Sequence, residues 1–273
     1  MKNFDGKAIY NPSGKAGEYS YWACNFYVGC SNGCKYCYCK KGIFKGTMGG
    51  DKPTLKKCFK DENHALEIFE KELKQNLPEL QKHGLFFTFS SDPLIDETFR
   101  MTIEALDICL EQEVSVKLLT KSVPNIKTLL DELDRNGYYH HTLTKYVAFG
   151  FTLTGHDELE PNASTNAERI EEIRKLHDAD FKTWASIEPV INFERSLEMI
   201  LQTRGFCDLY KVGLESGKKY NYLEIRSFML ACYGINGIKS KFYFKDELLK
   251  QAVIKREHLP DNCVSRDYNI FNN

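Results

Sequence analysis

Three cysteines stand as C-x3-C-x2-C at Cys30, Cys34 and Cys37, inside the stretch FYVGCSNGCKYCYCKKG that runs from Phe26 to Gly42. Cys39 adds a fourth thiol to the same stretch. Thiols this dense have three chemical uses: a disulfide, a zinc site or an iron–sulfur cluster. Cys30, Cys34 and Cys37 cannot all pair with one another, and thiols stay reduced in the cytoplasm. That is the compartment expected for this chain, because MKNFDGKAIYNPSGKAGEYS lacks an apolar signal core. Structural zinc takes four ligands, usually as two close pairs. Cys24 or Cys39 is available as a fourth, but no second C-x2-C or C-x2-H pair follows downstream. A [4Fe-4S] cube normally takes four cysteines; given three, its fourth iron keeps a position open for a substrate or cofactor. Small residues at Gly29, Ser31 and Gly33 let the backbone wrap such a cube and donate N–H bonds to its sulfides.

The rest of the chain must position that loop. With 42% hydrophobic and 27% charged residues it has the composition of a globular protein. A net charge of −1 gives no global pull toward nucleic acid or membrane. No run approaches the ~20 apolar residues of a membrane helix. Short apolar runs read as strands at Tyr19–Phe26, Leu85–Phe89, Val114–Leu119, Val147–Leu153, Lys182–Ile187 and Leu209–Val212. Helical spacing lies between them at Asp61–Leu77, Glu97–Glu111, Asn125–Arg135, Thr165–Ala179 and Phe193–Thr203, with a less regular pattern near Tyr220–Tyr233. This alternation predicts an α/β fold of parallel strands with right-handed crossovers, either an open sheet or a partial (β/α)6 barrel of TIM type. In both, chemistry gathers at the carboxyl ends of the strands. The first strand leads into the cysteine loop, so the thiols belong at that end. Residues 1–18 then form an N-terminal extension, 19–238 the barrel, and 239–273 a C-terminal extension packed on it.

The cysteine spacing, with Tyr36 just before Cys37, resembles the signature of the radical S-adenosylmethionine superfamily. That resemblance implies a partial (β/α)6 barrel and a three-cysteine [4Fe-4S] cluster. It also implies that the amino and carboxylate groups of S-adenosyl-L-methionine chelate the unique iron. An external reductant such as flavodoxin or ferredoxin would supply one electron. Cleavage would then release methionine and a 5′-deoxyadenosyl radical, which abstracts hydrogen from a substrate. A closer likeness is to the spore photoproduct lyase branch. The segment VGCSNGCKYCYCKKG resembles that branch's cluster loop, with Tyr36 and Tyr38 on either side of Cys37 as candidate catalytic residues. FTFSSDPLIDE (Phe87–Glu97) resembles its second-strand T-S-D segment, and KLLTKS (Lys117–Ser122) its V-T-K. Later segments through KFYFKDELL follow in the same order. The branch's hydrogen-donor cysteine is Phe89 here, which points away from thymine-dimer repair and toward another substrate. The Gly-Gly-Glu found elsewhere in the superfamily is replaced by Ser90, Ser91 and Asp92.

The same correspondence marks polar residues at strand ends as cofactor contacts. Ser90, Ser91 and Asp92 follow the second strand, where a turn aspartate before Pro93 is the ordinary alternative. Lys121 ends the third strand and matches a lysine for the cofactor carboxylate, where a point cation is apt. Thr152 in the fourth strand matches a carboxylate-binding hydroxyl, though a β-branched residue also simply fills a strand. Glu188 and Glu215 follow the fifth and sixth strands, a place for adenosine or substrate contacts. From Lys40 to Lys60 seven lysines stand against one acid, Asp51. Such a run is either a solvated loop or a set of phosphate contacts, which give salt-dependent affinity without sequence reading. The substrate class it points to is nucleic acid or a nucleotide. Two rivals remain open on the residues alone: a zinc-binding module that docks nucleic acid, and an iron–sulfur electron-transfer protein.

Overall fold

The computed structural model describes residues 3–272. Two compact units emerge: Met1–Ala148 with Glu160–Ser164, and Phe149–Leu159 with Thr165–Asn273.

In the first unit the strands are β1 (Ile9–Tyr10), β2 (Ala23–Cys24), β3 (Tyr27–Val28), β4 (Thr54–Leu55), β5 (Leu85–Phe87) and β6 (Val116–Thr120). β2 pairs in parallel with β5, and β5 with β6, while β1 lines the edge of β2 antiparallel. β3 and β4 form a separate antiparallel ribbon. The helices are α1 (Glu62–Gln75), α2 (Leu77–His83), α3 (Asp96–Glu111), α4 (Asn125–Arg135) and α5 (His140–Tyr146).

The strand expected over Tyr19–Phe26 is cut to β2. Asn25 ends it: its backbone N–H turns to Ala8, and its side-chain oxygen accepts from the N–H groups of Phe89 and Ser90. The cysteine loop therefore follows β3, one short strand later than the sequence pattern implies. The helix expected over Asp61–Leu77 is α1, two residues shorter at its end, and a further helix, α2, starts at Leu77 with Pro78 in its first turn, where a missing N–H costs nothing. Asp61 caps the first by accepting from His64 N–H.

The second unit holds most of β7 (Val147–Thr152), then β8 (Lys182–Val190), β9 (Leu209–Leu214) and β10 (Lys241–Phe244), neighbours in that order. β8 and β10 both run parallel to β9. β9 is buried along its whole length, as a strand covered on both faces must be. The helices are α6 (Asn166–Asp178), α7 (Phe193–Thr203), α8 (Tyr222–Tyr233) and α9 (Asp246–Ala252). Thr165 and Glu168 close a capping box at the start of α6.

The fold is mixed α/β with mostly parallel strands, as in a partial TIM-type barrel. Among the described residues, short strands β1, β3, β4 and β10 lie outside the six expected. β10 lies in the segment read as an extension and joins the sheet of the second unit beside β9. Its two apolar-facing phenylalanines, Phe242 and Phe244, are fully buried and stack at 5.8 Å.

Candidate functional site

In the first unit the cysteine loop is held by backbone that only glycine accommodates. Gly29 has φ +88°, and a Cβ there would meet the carbonyl oxygen of Lys52 at 2.4 Å. Gly33 has φ +69° and lies against Asn162. Cys30, Cys34 and Cys37 are all free thiols; Cys34 is buried and the other two are partly exposed. Burial pushes Cys30 up to about 12, with Asp92 adding to it, and burial likewise raises Cys34. A hydrogen bond from Cys39 brings Cys37 down to about 6. Lys121 pulls all three downward. Its ammonium also lies 5.8 Å from the Tyr36 ring centroid. One cation thus faces three potential thiolates, the state in which cysteine binds iron.

Asp92 ties this loop to the strand ends. Its carboxylate, 6% exposed, accepts from Asn32 Nδ2 at 2.8 Å, Leu94 N–H at 3.0 Å, Thr120 Oγ1 at 2.6 Å and Lys121 N–H at 2.8 Å. The bond to Leu94 is an aspartate turn; the others join residues 28 to 60 positions away. Ser90 is buried and donates to the Tyr27 carbonyl at 2.5 Å. The hydroxyl oxygen of Ser91 is buried with no hydrogen-bond partner among the described residues. The Tyr36 hydroxyl donates to Glu160, and the Tyr38 hydroxyl to the Phe89 carbonyl. The segment around Glu160 brackets the loop again: Asn162 donates from its backbone to Asn32 O at 3.3 Å and from Nδ2 to Ser31 O at 2.9 Å. Asn25, Asn32, Glu160 and Asn162 carry no spacing signal in the sequence, since the bonds that join them to the cysteine loop or to the Phe89–Asp92 segment span 60 or more residues.

The second unit holds the other expected contacts. Thr152 ends β7, buried, and its carbonyl accepts from the fully buried Arg169 at 2.5 Å. Glu188 in β8 forms an ion pair with Lys245, and Glu215 after β9 forms one with Lys218 at 2.7 Å. Arg169 and Lys245 lie in segments that follow the family order, but neither is a site residue expected from the sequence.

Three free cysteines beside one cation form a donor set of the chemistry that an iron–sulfur cluster takes. A cube spreads its cysteines over separate irons. The lysine run is largely solvated: Lys41, Lys45, Lys52, Lys57 and Lys60 are exposed, while Lys40 pairs with Asp51 and Lys56 donates to the Lys7 carbonyl. Among the described residues no helix is long and apolar enough to cross a membrane.

A parallel α/β fold carrying this cysteine loop at its strand ends defines a class, and the comparisons agree. The family model of the radical SAM superfamily matches residues 24–207, and the chain belongs to that superfamily. Membership implies S-adenosylmethionine and an iron–sulfur cluster. An uncharacterized protein of Methanocaldococcus jannaschii is 24% identical over 215 residues, covering 73% of this chain and 74% of that one. Two crystal structures of SuiB from Streptococcus suis share the fold, with TM-scores of 0.51 and 0.50 at 14% and 15% identity. The second is bound to S-adenosylmethionine. They cover 76% and 68% of this chain, which spans a little under half the length of each.

Proposed function

We propose that Cys30, Cys34 and Cys37 hold a [4Fe-4S] cluster with one iron left for S-adenosylmethionine, and that the enzyme is lyase-like in the manner of spore photoproduct lyase. When bound, the cluster supplies the electron that splits the cofactor into methionine and a 5′-deoxyadenosyl radical. The residues of this chain bind and orient. Lys121 meets the cofactor carboxylate, with Thr152 as a hydroxyl partner. Ser90, Ser91 and Asp92 line the amine side, and Glu188 and Glu215 contact adenosine or substrate. Asp92 does this mainly through what it holds, because its carboxylate is already filled by four donors. Tyr36 and Tyr38 flank the third ligand as candidate catalytic residues.

The observation that carries this reading is the set of bonds to Asp92. They join the cysteine loop to the end of β6 and so set Lys121 against the thiols.

The substrate class we propose is nucleic acid or a nucleotide, held by the exposed lysines of residues 40–60. The branch's donor thiol is absent at Phe89, whose ring stacks on Phe86 at 4.4 Å. Thymine-dimer repair is therefore not expected. A thiol does stand close by: the Cys39 sulfur lies 3.9 Å from the Phe89 carbonyl oxygen.

The test is iron and sulfide content after anaerobic reconstitution. Cys30→Ala, Cys34→Ala and Cys37→Ala should each lose the intact cluster, whereas Cys24→Ala and Cys39→Ala should keep it. Loss of iron in Cys39→Ala as complete as in Cys34→Ala would mean a fourth protein ligand and no open iron. DNA titrations of the clustered protein should give weak binding that falls as salt rises. Salt-insensitive binding, or none, would remove nucleic acid as substrate.

A further inference from the structure

The superfamily match ends at residue 207, before β9 and β10. Those two strands nevertheless build the surroundings of Glu188. Lys245 follows β10, and its Nζ lies 2.8 and 3.0 Å from the two carboxylate oxygens of Glu188. The pair crosses the intervening strand over Gly213. A Cβ at Gly213 would stand 2.7 Å from Glu188 Cδ and 2.8 Å from Lys245 Cδ, so the bare glycine admits both side chains. Two residues earlier on the same face, Lys211 is buried with its ammonium 5.4 Å from the Tyr243 ring. Arg256 lies 4.5 Å from that ring. The interior face of β9 and β10 is thus cationic, with Glu188 reaching into it from β8.

The two partners differ in access. The Lys245 side chain is 4% exposed and that of Glu188 18%. The lysine is sealed and the acid is the reachable member. A buried ion pair is weak support for stability, because well-packed apolar side chains often serve as well. What an ammonium on both oxygens does supply is a fixed carboxylate orientation. A carboxylate so held is an acceptor with capacity for further donors.

We propose that Lys245 is a positioning residue for Glu188, and that it aims the reachable carboxylate at a hydroxyl donor of the adenosine in bound S-adenosylmethionine. This rests on the reading of Glu188 as a cofactor contact. It makes the C-terminal strand part of the binding machinery, recruited from outside the superfamily's matched span.

The test uses Lys245→Met, Lys245→Arg and the charge swap Glu188→Lys with Lys245→Glu. Two quantities are measured: thermal unfolding of the cluster-free chain, and equilibrium dialysis of S-adenosylmethionine and of methionine against anaerobically reconstituted, unreduced protein. Lys245→Met should weaken S-adenosylmethionine binding about tenfold, the scale of one charge-assisted hydrogen bond, while methionine binding holds. Lys245→Arg should stay within about threefold, since the cation is kept. The swap should recover the melting temperature but not the binding, because it puts an ammonium where the acceptor must stand. If the swap restores both, or if Lys245→Met unfolds earlier with binding unchanged, the pair is only a latch and the proposal is wrong. Should Lys245→Met fail to fold, the swap and Lys245→Arg decide alone. Wild-type protein that holds no cluster and binds no S-adenosylmethionine would instead defeat the cofactor reading itself, a separate outcome.

Discussion

In the first unit Asp92 gathers four hydrogen-bond donors, three of them from a distant loop or strand end. In the second, Glu188 meets the Lys245 ammonium across a bare glycine. Both carboxylates stand at the ends of parallel strands, yet they are used in opposite ways. Asp92 is consumed by backbone and neutral side-chain donors, which fix loops in place. Glu188 is engaged by a charged partner and keeps 18% of its side chain exposed. Two lysines, Lys245 buried and Lys117 half-buried, repeat the contrast. Lys245 has Glu188, whereas the Lys117 ammonium in β6 has the His83 carbonyl at 3.0 Å. Burial without an ion pair lowers Lys117 to about 8. A strand end can therefore be organised by many neutral bonds around one acid, which sets a loop's shape, or by one ion pair, which aims a group.

The largest effect should come from breaking the first arrangement. Asp92→Ala leaves four buried or half-buried donors without their acceptor, at a cost of about 3–5 kcal/mol. Urea unfolding should show that loss, and the surviving folded protein should retain less iron than wild type. Full iron retention at wild-type stability would mean that Asp92 does not hold the cysteine loop.

The second arrangement is broken more gently at its glycine. Gly213→Ala should cost about 1–3 kcal/mol, because its methyl would overlap both Glu188 and Lys245. Gly205 is the control, since its backbone is ordinary and a methyl added there would meet no atom within 4 Å. Its alanine variant should stay within about 0.5 kcal/mol of wild type. Equal melting temperatures for the two variants would show that the pair has room to move.

The smallest effect sharpens the lysine contrast. The folded Lys117 value of about 8 lies below the ordinary 10.5. Between those values the unfolded chain binds more protons, so stability rises with pH across the window, and the full penalty applies below about 8. Lys117→Met should therefore stabilise the protein at neutral pH, by about 1–2 kcal/mol once the residue's partial exposure is discounted. It should also flatten the rise between pH 8 and 10.5. An unchanged slope in pH-dependent urea unfolding would mean that Lys117 is not the titrating group.

How much of this was legible in the sequence follows from distance along the chain. Helices with a strong apolar stripe were readable to the residue: α4 and α7 occupy the expected Asn125–Arg135 and Phe193–Thr203. The cysteine spacing is local, and so was the class of chemistry it announced. β10 is only four residues long, opens on Lys241 and is followed by Lys245, so it carries little periodic signal. Asp92 was visible as a turn residue, but three of its partners are not local. Glu160 lies 124 residues from Tyr36 and Lys245 lies 57 from Glu188, pairings that only the fold creates. The lysine run was legible as charge, and the structure adds that five of its members are exposed.

Whether the strand-end thiols of the first unit support radical chemistry decides the rest. The direct measurement is to reconstitute the wild-type chain anaerobically, determine iron, sulfide and zinc, then add dithionite and S-adenosylmethionine and quantify 5′-deoxyadenosine. The prediction is about four irons and four sulfides per chain, with 5′-deoxyadenosine formed only in the presence of reductant and lost in Cys30→Ala, Cys34→Ala and Cys37→Ala. A colourless protein holding one zinc, or a four-iron protein that never forms 5′-deoxyadenosine, would contradict it.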